Sequence, residues 1–360
     1  MSRPTLSSIL PPFVLGTTTF NNQYNSTPHL LPTTAIVHTA LSAGITAFDT
    51  SPYYGPAESM LGAALATAPH DRASYILSTK VGRIAADTFD YSPDWVRRSL
   101  DRSLERLGTG YVDLVYCHDV EFVSAEEVVV AVRTLRELRA EGKCRYVGIS
   151  GYPTGVLVEL AKRVKEETGE ALDAVMSYAH YTLQNSVLAS EEVLGRLVGE
   201  AGVGCVLNGS PLGMGLLRSQ GVPVGDIGDF HPAPGELRER CAEAAGVVAG
   251  TGGKLETLAL RFSIEGWVRD GARGGSAVSP VVAGRKVDVG GKMGVSVGSV
   301  SSLKELEELL AIWGDVVGAL ERKHLYRQVQ SVFAGDVAKN EWRNYSWPSP
   351  GEDYVRGKLE

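Results

Sequence analysis

The chain has 360 residues, 44% of them apolar and 21% charged, with 35 basic against 42 acidic side chains and a formal charge of −7. This is the composition of an ordinary globular protein, with enough chain for a large core; one barrel of alternating strands and helices routinely uses this much. An acidic chain without a basic run argues against nucleic acid and an anionic membrane surface as partners.

The first twenty residues, "MSRPTLSSILPPFVLGTTTF", hold no apolar run long enough for a signal segment, and prolines interrupt what there is. No stretch approaches a membrane span, so a cytoplasmic location is the default expectation. Short apolar, β-rich runs then recur: "FVLGTT" (13–18), "ITAFDTS" (45–51), "YILSTKV" (75–81), "YVDLVYCH" (111–118), "CRYVGIS" (144–150), "LDAVMSY" (172–178) and "GVGCVLN" (202–208). Near-continuous apolar strands are expected where both faces of a parallel sheet are covered. Between them lie helical patterns. "SPDWVRRSLDRSLERLG" (92–108) offers Ser92 as N-cap, Pro93 at the first helical position and Gly108 as the stop, and "SAEEVVVAVRTLRELRAEGK" (124–143) reads the same way.

Asp49 to Lys80, Lys80 to His118, His118 to Ser150, Ser150 to Tyr178 and Tyr178 to Ser210 are each about one strand–helix unit apart. Such alternation predicts an α/β fold with a parallel sheet, and its repetition favours a closed (β/α)₈ TIM barrel over an open doubly wound sheet. The absence of G-x-G-x-x-G after the first strand points the same way. Two regions break the rhythm. Residues 218–236 are rich in Gly and Pro and read as a lid or binding loop after strand seven. Residues 266–294 carry eight glycines and read as a flexible insertion before the last strand. That strand is expected near "MGVSVGS" (293–299), with "VSPVVAG" (278–284) as competitor. Residues 1–345 are expected to form one barrel domain, and 346–360 a C-terminal tail.

Barrel active sites lie at the C-terminal ends of the strands. Asp49, Lys80 and His118 each end a predicted strand, and one of the adjacent Tyr53 and Tyr54 follows Asp49 in its loop. Alone, Asp49 reads as a turn or cap residue, Lys80 as a solvated strand end and His118 as a structural histidine. Together they suit a specific chemistry. A tyrosine with an ordinary pKa near ~10 becomes a proton carrier when an ammonium stabilises its phenolate. Lys80 would supply that charge, Asp49 would hold the lysine, and His118 would orient a substrate oxygen. The set fits a carbonyl–alcohol interconversion with hydride transfer to or from a bound cofactor. The four cysteines, Cys117, Cys144, Cys205 and Cys241, lie far apart, and no metal site is expected.

"FDTSPYYG", "STK" and "YCHD" resemble the Asp, Tyr, Lys, His tetrad of the aldo-keto reductases, and the likeness extends from "VLGTTTF" to "LKELEELL". The family's spacing selects Tyr54 as the acid/base. "CHDVEFV", "EGKCRYVGISGYP", "MSYAHYTLQN", "NGSPLGMGLL" and "FHPAPGELRERC" resemble its sugar-oxidising branch of L-galactose and fungal D-arabinose 1-dehydrogenases. The resemblance implies oxidation of an aldose at its anomeric carbon to an aldonolactone, with the sugar as small-molecule partner. It fixes no oligomeric state.

It further implies cofactor contacts from Thr17 and Thr18, Ser150 and Gly151, Tyr178, the loop residues Ser210, Leu212, Gly213 and Gly215, and Ser299, Ser301, Ser302 and Glu308. Gly151 stands where the wider family has an asparagine, Tyr178 where it has a glutamine, and Gly209 where an aromatic ring stacks on nicotinamide. Aligned on "LEE", Glu305 takes the position of an arginine that holds the 2′-phosphate of NADP; shifted by one, Lys304 does. A carboxylate there would repel the phosphate and accept from a ribose diol, so NAD is the expected cofactor, with NADP the alternative. Two other readings remain: a broad NADPH-dependent aldehyde and ketone reductase, and a cofactor-sensing regulatory subunit.

Overall fold

Along a β-strand alternate side chains face opposite ways, and in this chain both directions are buried. The computed structural model describes residues 3–223, 225, 228–318, 329–333, 342–351 and 354–356. Its strands are β1 (Phe13–Gly16), β2 (Ala47–Asp49), β3 (Ile76–Val81), β4 (Val112–His118), β5 (Cys144–Gly151), β6 (Ala174–Tyr178), β7 (Cys205–Gly209), the short β8 (Val281–Val282) and β9 (Arg285–Lys286), and β10 (Val295–Ser299). All but β8 and β9 pair in parallel and close into an eight-stranded barrel in the order β1-β10-β7-β6-β5-β4-β3-β2. The predicted (β/α)₈ architecture is therefore the observed one.

The two faces of the strands feed two cores. Val14, Ala47, Leu114, Tyr116, Tyr146, Ala174, Met176, Leu207, Val295 and Val297 fill the lumen, plugged from below by Leu6 and Leu10. The alternate positions, among them Phe13, Leu15, Phe48, Leu77, Val115, Cys117, Val147, Ile149 and Val206, pack outward against the helices. This double burial is why the strands read as unbroken apolar runs.

The helices follow their local signals. α1 is Thr33–Ser42 and α2 is Ala57–Ala66. In α3 (Pro93–Leu107) the Ser92 side chain accepts from Trp95 N–H, Pro93 opens the first turn and Gly108 closes the helix at φ 64°. α4 (Ala125–Ala140) starts with a full capping box between Ser124 and Glu127. α5 (Thr154–Thr168) and the short α6 (Arg196–Gly199) precede β6 and β7. Two helices, α7 (Gly235–Ala249) and α8 (Leu255–Asp270), lie between β7 and β10, and α9 (Leu303–Val317) follows β10.

One expectation fails. Residues 266–270 are not part of a flexible insertion but the last turns of α8. Gly266 is a packing position inside the helix: a Cβ there would run into the Tyr181 hydroxyl. The insertion proper is 271–294, and it contains the β8–β9 hairpin. The last barrel strand is Val295–Ser299, and the competing "VSPVVAG" segment is the hairpin instead. Of the segment expected as a lid after strand seven, residues 224, 226 and 227 lie outside the described residues, and α7 already begins at Gly235.

Candidate active site

Strand parity aims the chemistry. In β2 the lumen row runs Ala47, Asp49; in β3, Ser78, Lys80; in β4, Leu114, Tyr116, His118. Each row is apolar or small below and ends in a functional group at the C-terminal rim, where a pocket of about 510 Å³ opens. The rows of β5, β6, β7 and β10 end in Ser150, Tyr178, Gly209 and Ser299, all of which line that pocket. Parallel pairing steps the rows upward: Asp49 pairs with Ser78, Lys80 with Tyr116, and His118 with Ser150.

Lys80 is buried, and its Nζ donates to Asp49 Oδ2 at 2.6 Å and to the Thr50 carbonyl at 2.9 Å. Asp49 takes a second donor, the Ser78 hydroxyl, at 2.9 Å. The ammonium lies 4.8 Å from the centre of the Tyr54 ring. Burial alone would lower the Lys80 pKa, but Asp49 and Tyr54 override it and the lysine stays firmly charged. For Tyr54, desolvation by the pocket walls raises the pKa, Lys80 lowers it, and the net result is a rise. The expected lowering by lysine is present, then, but burial exceeds it, and Tyr54 rests as a phenol.

His118 faces Tyr54 edge-on, with ring centres 5.8 Å apart. Its Nδ1 is 3.1 Å from Ser51 Oγ, and that hydroxyl already accepts the Tyr53 N–H. The hydroxyl proton is free to go to Nδ1, which puts the ring proton on Nε2, toward the pocket. Burial pushes the imidazole down to about 3, so it is neutral at ordinary pH.

Beside this tetrad stands a pair that strand-end reasoning missed. Arg83, just past β3, donates to the carboxylate of Asp119, and both line the pocket. Burial opposes charge on Asp119, and His118 counters it only when protonated. The Arg83 guanidinium carries the balance and holds the carboxyl below its usual range. Tyr53, the tyrosine not selected by spacing, donates nothing to the tetrad; its hydroxyl accepts from Arg83 at 3.0 Å and Gln23 at 3.1 Å.

The far end of the pocket is a groove between the loops after β7 and β10. Gly213, Met214 and Gly215 follow one another at φ 59°, 56° and 98°. Among the described residues, the N–H groups of Leu212 and Met214 donate to no carbonyl. Backbone amides left open by such left-handed turns form a cradle suited to a diphosphate. Past Gly215 the space is empty, with nothing within 4 Å of a Cβ placed there. At the mouth, Arg218 and Glu305 form an ion pair of 2.7 Å, while Glu305 also accepts the Ser301 N–H at 2.6 Å. Lys304 is exposed. The donor set and shape fit a dinucleotide.

Of the positions expected to touch cofactor, Thr18, Ser150, Tyr178, Ser210, Leu212, Gly215 and Ser299 line the pocket. Thr17 lies beneath it, its hydroxyl donating to Thr50 at 2.8 Å. The Gly213 carbonyl accepts from His231 at 2.9 Å, Ser301 Oγ lies 3.4 Å from Asn25, and Ser302 caps α9 through Glu305 N–H at 3.1 Å. Glu308 is half-buried on α9, outside the lining. Gly151 is small for a visible reason: the Glu121 carboxylate fills its side-chain space, 2.3 Å from a Cβ built there. Trp347, stacked on Tyr152 at 4.4 Å, also lines the pocket, as does Phe122. No local pattern announces Trp347, because its dock is a loop some 160 residues away, where Gln184 and Asn185 hold the backbone of Trp342 and Tyr345.

A family model described as the aldo/keto reductase family matches residues 12–319. The chain is 43% identical over 264 residues to D-arabinose 1-dehydrogenase of Saccharomyces cerevisiae, an alignment covering 72% of this chain and 77% of that one. It is 34% identical over 318 residues to L-galactose dehydrogenase of Arabidopsis thaliana, covering 88% and 86%. It is 28% identical over 269 residues to D-threo-aldose 1-dehydrogenase of a Pseudomonas species, covering 67% and 78%. The match spans every barrel strand, and by it the chain belongs to the aldo/keto reductase family.

Proposed function

We propose that the chain is an NAD-dependent aldose 1-dehydrogenase, oxidising the anomeric carbon of a free sugar such as D-arabinose, L-galactose or L-fucose to the aldonolactone. The observation that carries this reading is the convergence of Asp49, Lys80, Tyr54 and His118 at one end of a pocket whose other end is a dinucleotide-shaped groove. The substrate class is supported by the names of the sugar dehydrogenases to which the chain is similar.

In this reading Tyr54 takes the proton of the anomeric hydroxyl as hydride leaves C1. Lys80, fixed by Asp49, stabilises the phenolate that must form transiently, and the His118 Nε2–H orients the reacting oxygen. A bound nicotinamide cofactor would supply the hydride acceptor. Ser150 and Tyr178 would hold its ring end and the 210–215 loop its diphosphate. Glu305 at the mouth favours NAD, because its carboxylate repels a 2′-phosphate and accepts from a free ribose diol. Arg218 favours the second reading, an NADPH-dependent reductase, but its charge is already spent on Glu305. With residues 1–345 as the barrel domain, the tail after it still contributes Trp347 to the pocket.

The test is the initial rate of nicotinamide reduction with NAD and with NADP over D-arabinose, L-galactose, L-fucose and D-glucose. The expected result is rapid NADH formation with the first three and loss of about 10²–10⁴-fold in Tyr54→Phe, checked for folding by circular dichroism. NADPH consumption by simple aldehydes, with no sugar oxidised, would establish the second reading instead.

A further inference from the structure

Strand parity should turn Asp119 away from the site, since it directly follows the lumen-facing His118. It lines the pocket nonetheless, because its backbone adopts the left-handed conformation, φ 55° and ψ 61°, which swings the side chain back inward. A non-glycine residue enters that conformation only where the surroundings hold it there. What holds it is Arg83, and Arg83 is committed on every side. Its Nη2 donates to the Tyr53 hydroxyl at 3.0 Å and the Ala86 carbonyl at 3.2 Å, its Nε to the Ala85 carbonyl at 3.3 Å, and its face lies 3.9 Å over the Tyr53 ring.

The consequence concerns the two carboxylate oxygens. Oδ2 accepts from Arg83 and lies 3.6 Å from His118 Nε2. Among the described residues, no donor reaches Oδ1. The residue is only 2% exposed, so water does not solvate the carboxylate as it would at a surface. A buried carboxylate with one oxygen unengaged and facing a cavity is an acceptor awaiting an O–H or N–H donor. An anionic substrate would be repelled by it, and Arg83 has no remaining fork to offer a phosphate. The same corner holds the His118 Nε2–H donor, and the apolar surfaces of Phe122 and Trp347 line the same pocket. A neutral molecule with hydroxyls on adjacent carbons and C–H faces for the aromatic wall matches all three features.

We propose that Asp119, paired to Arg83, is a specificity-determining residue that accepts a hydrogen bond from a substrate hydroxyl next to the reacting carbon, selecting unphosphorylated sugars over plain aldehydes and alcohols. This rests on the reading of the chain as an aldose 1-dehydrogenase. Arg83 is then a positioning residue, acting on substrate only through Asp119.

The test uses the full chain, with NAD for sugar oxidation and NADH for aldehyde reduction. Asp119→Asn keeps shape and an acceptor but loses the charge. It is expected to lower kcat/KM for D-arabinose about 10–100-fold, mostly through KM, the range for a charged hydrogen bond. Reduction of butanal by the same preparation should change less than about threefold, and cofactor affinity, read by fluorescence quenching, should not change. On the unmodified chain, one of a series of monodeoxy sugars should lose tenfold or more, and that loss should shrink in Asp119→Asn. Arg83→Met should make the sugar reaction fall more steeply toward acid pH than it does in wild type. Equal losses on arabinose and butanal, no loss on arabinose, or no monodeoxy sugar that suffers would overturn the proposal while leaving sugar oxidation intact. A wild-type chain that reduces butanal and oxidises no sugar would overturn this proposal and the functional reading together.

Discussion

Tyr54 is pulled two ways, by pocket walls that favour the neutral phenol and by an ammonium that favours the phenolate, and the walls prevail. A base that must first be ionised works better as pH rises. With the Tyr54 pKa above its ordinary value, kcat/KM for sugar oxidation is expected to climb with pH and reach no plateau below about 10. His118, neutral down to about 3, contributes no limb between pH 5 and 8. A pH-rate profile checks both points, and a bell centred near neutrality would contradict them. Glu121 makes a separate prediction. Its Oε1 accepts from Tyr152 N–H at 2.9 Å and lies 3.3 Å from the Ser349 hydroxyl, while Oε2 is buried without a partner among the described residues. Burial, reinforced by Asp119, raises its pKa from 4.5 to about 8. The fold thus prefers the protonated acid: its contribution to stability is complete below about 4.5 and is lost as pH rises through about 8. In thermal melts from pH 5 to 8, the Tm of Glu121→Gln should rise progressively relative to wild type. A constant difference between the two would contradict the assignment.

At the scale of elements, α8 shows how packing overrides propensity. Glycine inside a helix normally weakens it, and alanine is the usual remedy, worth about 1 kcal/mol. Here Gly266 lets Tyr181 lie against the helix, where its hydroxyl donates to Asp270 at the end of the same helix. Gly266→Ala must displace that ring, so it is expected to destabilise the chain by about 1–3 kcal/mol despite the better helix former, read as a lowered midpoint in urea. Unchanged or increased stability would show that the ring can move at no cost. The loop after β6 illustrates the complementary case. In "AHYTLQN", Gln184 and Asn185 spend their amides on the 342–346 segment and thereby set Trp347 against the pocket.

Across the whole molecule, the legible part of the site is the part that strand parity and strand–helix spacing encode. Asp49, Lys80 and His118 end lumen rows, so the periodicity that specified the barrel also aimed them. Arg83 and Asp119 were not legible for a reason of the same kind: they lie just past strand ends, where parity no longer applies, and their meeting depends on a left-handed residue and a contact 36 positions apart. Gly151 looked like a missing contact because the Glu121 carboxylate that fills its space comes from the preceding strand–helix loop. Trp347 needed the distant dock just described. The proposed reading joins all of these through hydride transfer from a sugar to a nicotinamide cofactor. The most direct measurement is the oxidation of D-arabinose carrying deuterium at C1, with NAD as acceptor. Deuterium recovered in the reduced nicotinamide, together with an aldonolactone product and loss of the reaction in Tyr54→Phe, is the predicted result. Reduced cofactor without deuterium, or a reaction that survives in Tyr54→Phe, would contradict the assignment of this site.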